Sequence, residues 1–269
     1  MYRGIFIMLA GASFSLCLAA QKVPSPQDTV LTPAGQVQRP EPPSPTASAR
    51  ELELAGDRLR EQKLYADAVD YYEAALKRGG DSAVIRNKQG IAKLMMVHLD
   101  DARKDFERAV KLDREYPEAY NNLGVVFYYK KNFKRAIKEY DKAVKLRDES
   151  ASFHSNLGSA YFARKEYEQA NAQYQRALDI DPDIFERRST NGIALHLMSA
   201  EDRAKFDYVL ARMYARQSNF DRALLYLRKA IEDGYKKMNE VYSDNEFAAL
   251  RKDPRFNELM TAKLPSIPQ

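Results

Sequence analysis

The chain has 269 residues, 45% of them hydrophobic and 30% charged, with a formal net charge of +5. That balance bounds a soluble globular chain of one or two domains and falls well short of the basicity that would by itself indicate nucleic acid. The single cysteine, Cys17, excludes a disulfide framework and a thiolate metal site.

Met1 to Ala20 combines a charged start at Arg3, an apolar run from Gly4 to Leu18 and small residues at Ala19 and Ala20. This is the order of a secretory signal peptide, so residues 1–20 are expected to direct export and be removed. An uncleaved single-span anchor is the alternative, although about 17 residues is short for a span. Cys17 does not make a lipoprotein signal, because Leu16 stands where a small residue is needed. Residues 21–48 hold seven of the twelve prolines and almost no large apolar side chains. Such a stretch cannot bury a core and is expected to be a disordered tether.

From residue 49 the sequence repeats every 34 residues. Glycines recur at Gly56, Gly90, Gly124 and Gly158, alanines at Ala68, Ala102, Ala136 and Ala170. Aromatics follow at Tyr72, Phe106, Tyr140 and Tyr174, and second alanines at Ala75, Ala109, Ala143 and Ala177. Apolar residues inside each unit fall at helical spacing, so each unit is a pair of amphipathic helices that needs its neighbours to bury its stripe. Close approach requires small side chains, which accounts for the glycine and alanine columns, and the aromatic fills the remaining space. Asp181-Pro182 stops the last helix of the fourth unit.

These columns resemble the tetratricopeptide repeat, over about half of the chain. The family's first-helix tryptophan is replaced by Leu52, Arg86, Tyr120 and His154, and its late proline survives only at Pro182. The resemblance implies an all-α fold: a right-handed superhelical solenoid of helix-turn-helix units closed by C-terminal capping helices.

Four units span 49–184, after which the period breaks. An insert, 185–203, contains the turn signal Asn191-Gly192 and the apolar run Ile193 to Met198. It either packs on the solenoid or forms a flap over its concave face. Ser199 with Asp202 three residues on reads as a capping box for the next helix. A fifth, degenerate unit spans 204–237, with Leu210, Ala211, Tyr214, Ala223, Leu227 and Ala230 in register. Residues 238–269 follow as cap and tail, with Asp253-Pro254 dividing two short helices, and resemble the segment that ends many tetratricopeptide arrays. They would cover the last apolar face.

No phosphate loop, zinc signature or nucleophile elbow is present, and His98, His154 and His196 stand apart without ligand partners. The chain is therefore expected to be a binding module rather than an enzyme, with no cofactor and no metal. In the family, first helices line a concave groove. Its inward columns here include Glu53, Asp57, Asn87, Lys88, Asn121, Asn122, Tyr128, Ser155, Asn156, Ser159 and Phe162, ending at Tyr208 and Arg212. Asparagine offers both donors and an acceptor to a peptide backbone. The resemblance implies that Asn122 and Asn156, one period apart, contact a ligand backbone, with Asn87 and Asn121 beside them in the groove and Tyr128 and Phe162 supplying stacking or a pocket. A carboxylate clamp is not expected, since Glu118, Ser152 and Val125 occupy the flanking positions.

A second feature is basic: Lys130, Lys131, Lys134, Arg135, Lys138, Lys142, Lys145 and Arg147 stand against only Glu139 and Asp141 in that stretch. The sequence thus points to an exported scaffold of the bacterial cell envelope, periplasmic or secreted, that holds an extended peptide of a protein partner. The alternative is a module that lays Lys134, Lys138 and Lys142 on anionic lipid or cell-wall polymer. Nucleic acid is not an expected partner.

Overall fold

The computed structural model describes residues 41–186 and 199–262, and contacts divide the chain at Glu41 and Pro42, so that all that follows concerns the second unit. The expected signal peptide, most of the proline-rich stretch, the run Ile193 to Met198, His196 and the end of the tail lie outside the described residues.

Eight helices form four hairpins: α1 (Ala49–Glu61) with α2 (Tyr65–Gly79), α3 (Ala83–Met95) with α4 (Leu99–Leu112), α5 (Pro117–Tyr129) with α6 (Phe133–Leu146), and α7 (Ala151–Ala163) with α8 (Tyr167–Ile180). Polar caps and a proline open several of them. Ser48 and Glu51 make a reciprocal capping box on α1, Ser82 caps α3, Pro117 starts α5 and Asn132 caps α6.

The glycine column is explained by contact distances. A Cβ placed on Gly56, Gly90, Gly124 or Gly158 would lie 2.7, 2.6, 2.5 or 2.7 Å from the ring of Tyr72, Phe106, Tyr140 or Tyr174 respectively. Each ring is fully or almost fully buried, so glycine is what lets the second helix lay an aromatic flat on the first. Burial of one such side chain is worth about 2–3 kcal/mol. In three of the four hairpins the residue that replaces the family tryptophan also ties the two helices together: Arg86 reaches Asp105 at 3.4 Å, the Lys142 ammonium lies 5.1 Å over the Tyr120 ring, and His154 meets Gln173 at 2.7 Å.

Units stack by packing each second helix on the next first helix, α2 on α3, α4 on α5 and α6 on α7, while α1, α3, α5 and α7 touch in succession. First helices therefore form one continuous surface. Loop carboxylates brace the stack: Asp81 reaches Arg108 at 2.5 Å and Asp148 reaches Arg176 at 2.5 Å.

A fifth hairpin follows, α9 (Ala200–Arg216) with α10 (Phe220–Glu232). Its first helix starts four residues before the expected unit boundary at 204. Ser199 accepts from the Asp202 amide at 3.1 Å and donates its hydroxyl to the Asp202 carboxylate at 2.7 Å, so the N-cap half of the expected capping box forms, without a return bond from the Ser199 amide among the described residues. The hairpin runs in the opposite direction to the other four. The Lys205 ammonium sits over the Tyr167 ring at the start of α8, whereas the Tyr214 hydroxyl, near the end of α9, donates at 3.3 Å to the Pro182 carbonyl just past the end of α8. Arg222 also binds Pro182 and Asp183, and the Tyr226 hydroxyl donates to the Phe185 carbonyl. Helix α9 is thus parallel to α8, whereas α7 is antiparallel to α6.

Chain reach gives the reason. Four residues, 147–150, separate α6 from α7 and suffice for an antiparallel return. A parallel start requires the chain to travel back along α8, about 21 Å for its length, and the nineteen residues 181–199 have that reach where four do not. The junction is filled by rings: Phe206 packs edge-on against Phe162, Tyr174 and Phe185. Phe185, the first residue of the expected insert, is therefore part of the core.

The chain end covers the array as expected, with Phe247, Leu250, Phe256 and Leu259 buried. Its first part is not a helix. Three 3-10 turns, Met238–Tyr242, Asn245–Phe247 and Leu250–Lys252, precede the one true helix, α11 (Pro254–Thr261). The turns let Phe247 reach Tyr208 at 5.6 Å between centroids, which a straight helix would carry past it. Among the described residues no helix is long and apolar enough to cross a membrane.

Candidate functional site

The continuous surface of α3, α5 and α7 carries one hydrogen-bonded chain of asparagines. Asn156 donates its amide to Asn121 at 2.9 Å, Asn121 to Asn122 at 3.3 Å, Asn122 to Asn87 at 2.8 Å, and Asn87 to the Tyr116 hydroxyl at 3.1 Å. The pairing runs across units as well as between neighbours on α5, so each amide orients the next. Every asparagine side chain has two N–H donors and an acceptor with two lone pairs. Asn121, Asn122 and Asn156 each spend one N–H inside the network and donate no second one among the described residues, and all three are part-exposed. Asn87 differs from the expectation. At 4% exposure it lies beneath the surface, and it holds Asn122 in place rather than facing a ligand.

Tyr128 and Phe162 also differ from an open stacking platform. They are 3% and 2% exposed: Tyr128 lies edge-on to Phe133 and Phe162 to Tyr167 within their own units, and α9 adds to their surroundings, with Phe206 edge-on to Phe162. Both are brought together in the wall of a cavity of about 260 Å³, with Lys131, Ser199 and Asp202 at its border. Burial pushes the Tyr128 hydroxyl up to about 12, with the Asp202 charge adding to the effect, so it remains a donor at neutral pH.

The polar end of the groove is an ion-pair cluster. Lys88 binds Glu53 and Asp57 at 2.6 Å each. Burial alone would raise the Glu53 carboxyl, but hydrogen bonds from Lys88 and Arg50 outweigh it and hold Glu53 below the usual carboxylate range. At the other end the array stops short of expectation. Tyr208 is stacked on Tyr235 at 4.4 Å, and Arg212 is paired with Asp244 at 2.6 Å. Tyr208 is thus buried at 3% exposure, and Arg212, still part-exposed, is held by the carboxylate of Asp244.

The basic stretch is more neutral in space than in sequence. Lys130 pairs with Asp100 on α4 and Arg147 with Glu118 on α5, each at 2.5 Å; Lys142 pairs with Glu139 and Lys145 with Asp141. Lys131, Lys134 and Lys138 are exposed and form no ion pair among the described residues. Of the three lysines expected to meet a surface, Lys142 is thus already occupied.

What sequence reasoning missed is the pairing among the asparagines and the arrival of Ser199 and Asp202 at Tyr128 and Phe162. The break in period was the only signal for the second.

Three family models match the chain: tetratricopeptide-repeat models over residues 115–183 and 209–238 and a TPR-repeat model over 98–131. Among solved structures, MamA (residue 41 to the end) from Desulfovibrio magneticus RS-1 is 20% identical with a TM-score of 0.50, covering 68% of this chain and 93% of that one. TTC0263, a thermophilic TPR protein of Thermus thermophilus, is 19% identical with a TM-score of 0.48, over 76% of this chain and 100% of that one. YrrB, described as a TPR protein with an unusual peptide-binding site, is 20% identical with a TM-score of 0.47, over 76% and 92%. No curated protein sequence matched. Likeness at these identities concerns the fold alone. The repeat columns, the stacked hairpins they build and the three matching models together make this chain a tetratricopeptide-repeat protein.

Proposed function

We propose that the protein is a scaffold for protein–protein interaction, not an enzyme, and that it holds an extended segment of a partner along α3, α5 and α7. The observation that carries this reading is the asparagine chain from Asn156 to Asn87, whose three part-exposed members each donate no second N–H among the described residues. A row of oriented amides pairs with any peptide backbone, each bond contributing about 1 kcal/mol. We also propose, from the order of residues 1–20, that the chain is exported and works in the bacterial cell envelope. An N-terminus at Gln21 in protein recovered from that compartment is the expected mass-spectrometric result; retention of Met1 there would favour an anchor.

The test of the groove is a selection from a library of random dodecapeptides displayed on phage, with the full chain as bait. Wild type is expected to retain binders that survive raised salt, and Asn121→Ala with Asn122→Ala and Asn156→Ala to lose them while keeping its helical circular dichroism. Binders kept by that variant but lost in salt, and lost on Lys134→Glu with Lys138→Glu, would transfer the activity to the basic face.

A further inference from the structure

The groove has one wall that no regular repeat supplies. Because α9 runs backwards, its first turn meets the ends of α5 and α7, and a cavity of about 260 Å³ is left between them. Tyr128, Phe133 and Phe162 give it three aromatic walls, Ser199 and Asp202 bring the start of α9, and Lys131 stands at the mouth. The Tyr128 hydroxyl makes no hydrogen bond among the described residues. Lys131 and Asp202 oppose each other in charge, which leaves no net electrostatic preference for a charged guest.

We infer, resting on the groove reading above, that this cavity receives one large apolar side chain, aromatic or branched aliphatic, of the bound segment and so decides which segments the groove accepts. Tyr128 and Phe162 stand on the same helices, α5 and α7, as Asn122 and Asn156, about 9 Å further along each by helical rise, so a segment whose backbone crosses the asparagines passes the cavity side-on and presents one residue to it. Its entry removes the guest's own apolar surface, and that of the part-exposed Phe133, from water, against rings already held by the core, so little order has to be created on binding.

The same displayed dodecapeptide library tests this. Wild-type binders are expected to share one position restricted to Phe, Tyr, Leu, Ile or Met. Ala163→Leu, which places a side chain into the cavity from α7, is expected to erase that restriction and weaken synthetic copies of the selected peptides at least about ten-fold in fluorescence anisotropy. Binders that depend on the asparagines but show no apolar position, or an Ala163→Leu variant that selects the same peptides with equal affinity, would overturn the pocket and leave the groove standing. A library that yields no binder at all overturns both. Should Ala163→Leu lower the helical content, the wild-type consensus alone decides.

Discussion

The first four hairpins and the fifth are built alike and docked differently. Inside each hairpin the turn is the same. The residue after the cap has a positive φ, at Lys63, Val97, Lys131, Lys165 and Ser218, and the next amide reaches back to a carbonyl five residues earlier, as from Leu64 to Leu59 and from Asn219 to Tyr214. The interior differs by a matched exchange. Where four hairpins place glycine against an aromatic ring, the fifth has Ala211 and Leu227, both fully buried. One side gains a methyl and the other loses a ring, so the helices still close. The lesson is that the repeat columns specify a hairpin, while the length of chain before it specifies which way that hairpin is laid down.

The largest expected effect breaks the exchange. Gly124→Ala would put its Cβ 2.5 Å from the ring of Tyr140, itself 2% exposed and unable to withdraw. A loss of about 3 kcal/mol in urea unfolding is expected. In the fifth hairpin Leu227→Tyr alone should cost a similar amount, and Ala211→Gly added to it should restore most of the loss. A double-mutant cycle without coupling would show that the two columns do not share one space.

A second difference lies in the column that replaces the family tryptophan. Arg86, Tyr120 and His154 each find a partner on the second helix, but the fifth hairpin has Asp207, 6% exposed and without a hydrogen bond among the described residues. Its natural partners are engaged elsewhere: Arg203 binds Asp233 at 2.9 Å, and the Lys229 ammonium lies 4.4 Å over the Tyr226 ring. Burial pushes the Asp207 carboxyl up to about 7; Asp233 adds to that, and Lys229 and Arg203 oppose it. The folded state therefore holds this proton more tightly than the unfolded chain. The stability it contributes is complete below about pH 4 and is lost as pH rises through about 7. Asp207→Asn should remove that slope and raise stability at pH 8 by on the order of 2 kcal/mol. Equal slopes in the two proteins between pH 4 and 8 would mean the carboxylate is solvated.

Much of the fold was legible from residue 49 onward, because a period of 34 with small, small, aromatic and small columns has a direct packing cause in Gly124 and Tyr140. The direction of α9 was not. It depends on how far residues 181–199 carry the chain, and turn signals such as Asn191-Gly192 do not encode a distance. The site was legible by address and not by state. Asn122 and Asn156 stood out at the right interval, yet the partner of each proved to be another asparagine, Asn87 and Asn121. Burial of Tyr128 and Phe162 was likewise hidden, since the start of α9 completes their surroundings. The charge of the basic stretch was overstated because Asp100 and Glu118, which neutralise Lys130 and Arg147, lie on other helices.

The smallest expected effect tests whether the turn really is common to both kinds of hairpin. Val97 has φ of 62° and is 63% exposed, so a β-branched residue occupies the left-handed region with little burial in return. Val97→Gly removes the clash of Cβ with the backbone, offset in part by the greater freedom of glycine in the unfolded chain, for a net gain of about 1 kcal/mol. Val97→Asn should gain nearly as much, since asparagine tolerates this region and adds no such freedom. Ser218→Gly, at φ of 59° in the reversed hairpin, starts from a smaller side chain and should gain about half of that. Thermal unfolding of the three variants orders them. If Val97→Gly gains and Ser218→Gly loses stability, the fifth turn is held by its docking against Pro182 and Phe185 rather than by its own backbone bonds, and the likeness between the hairpins ends at their interiors.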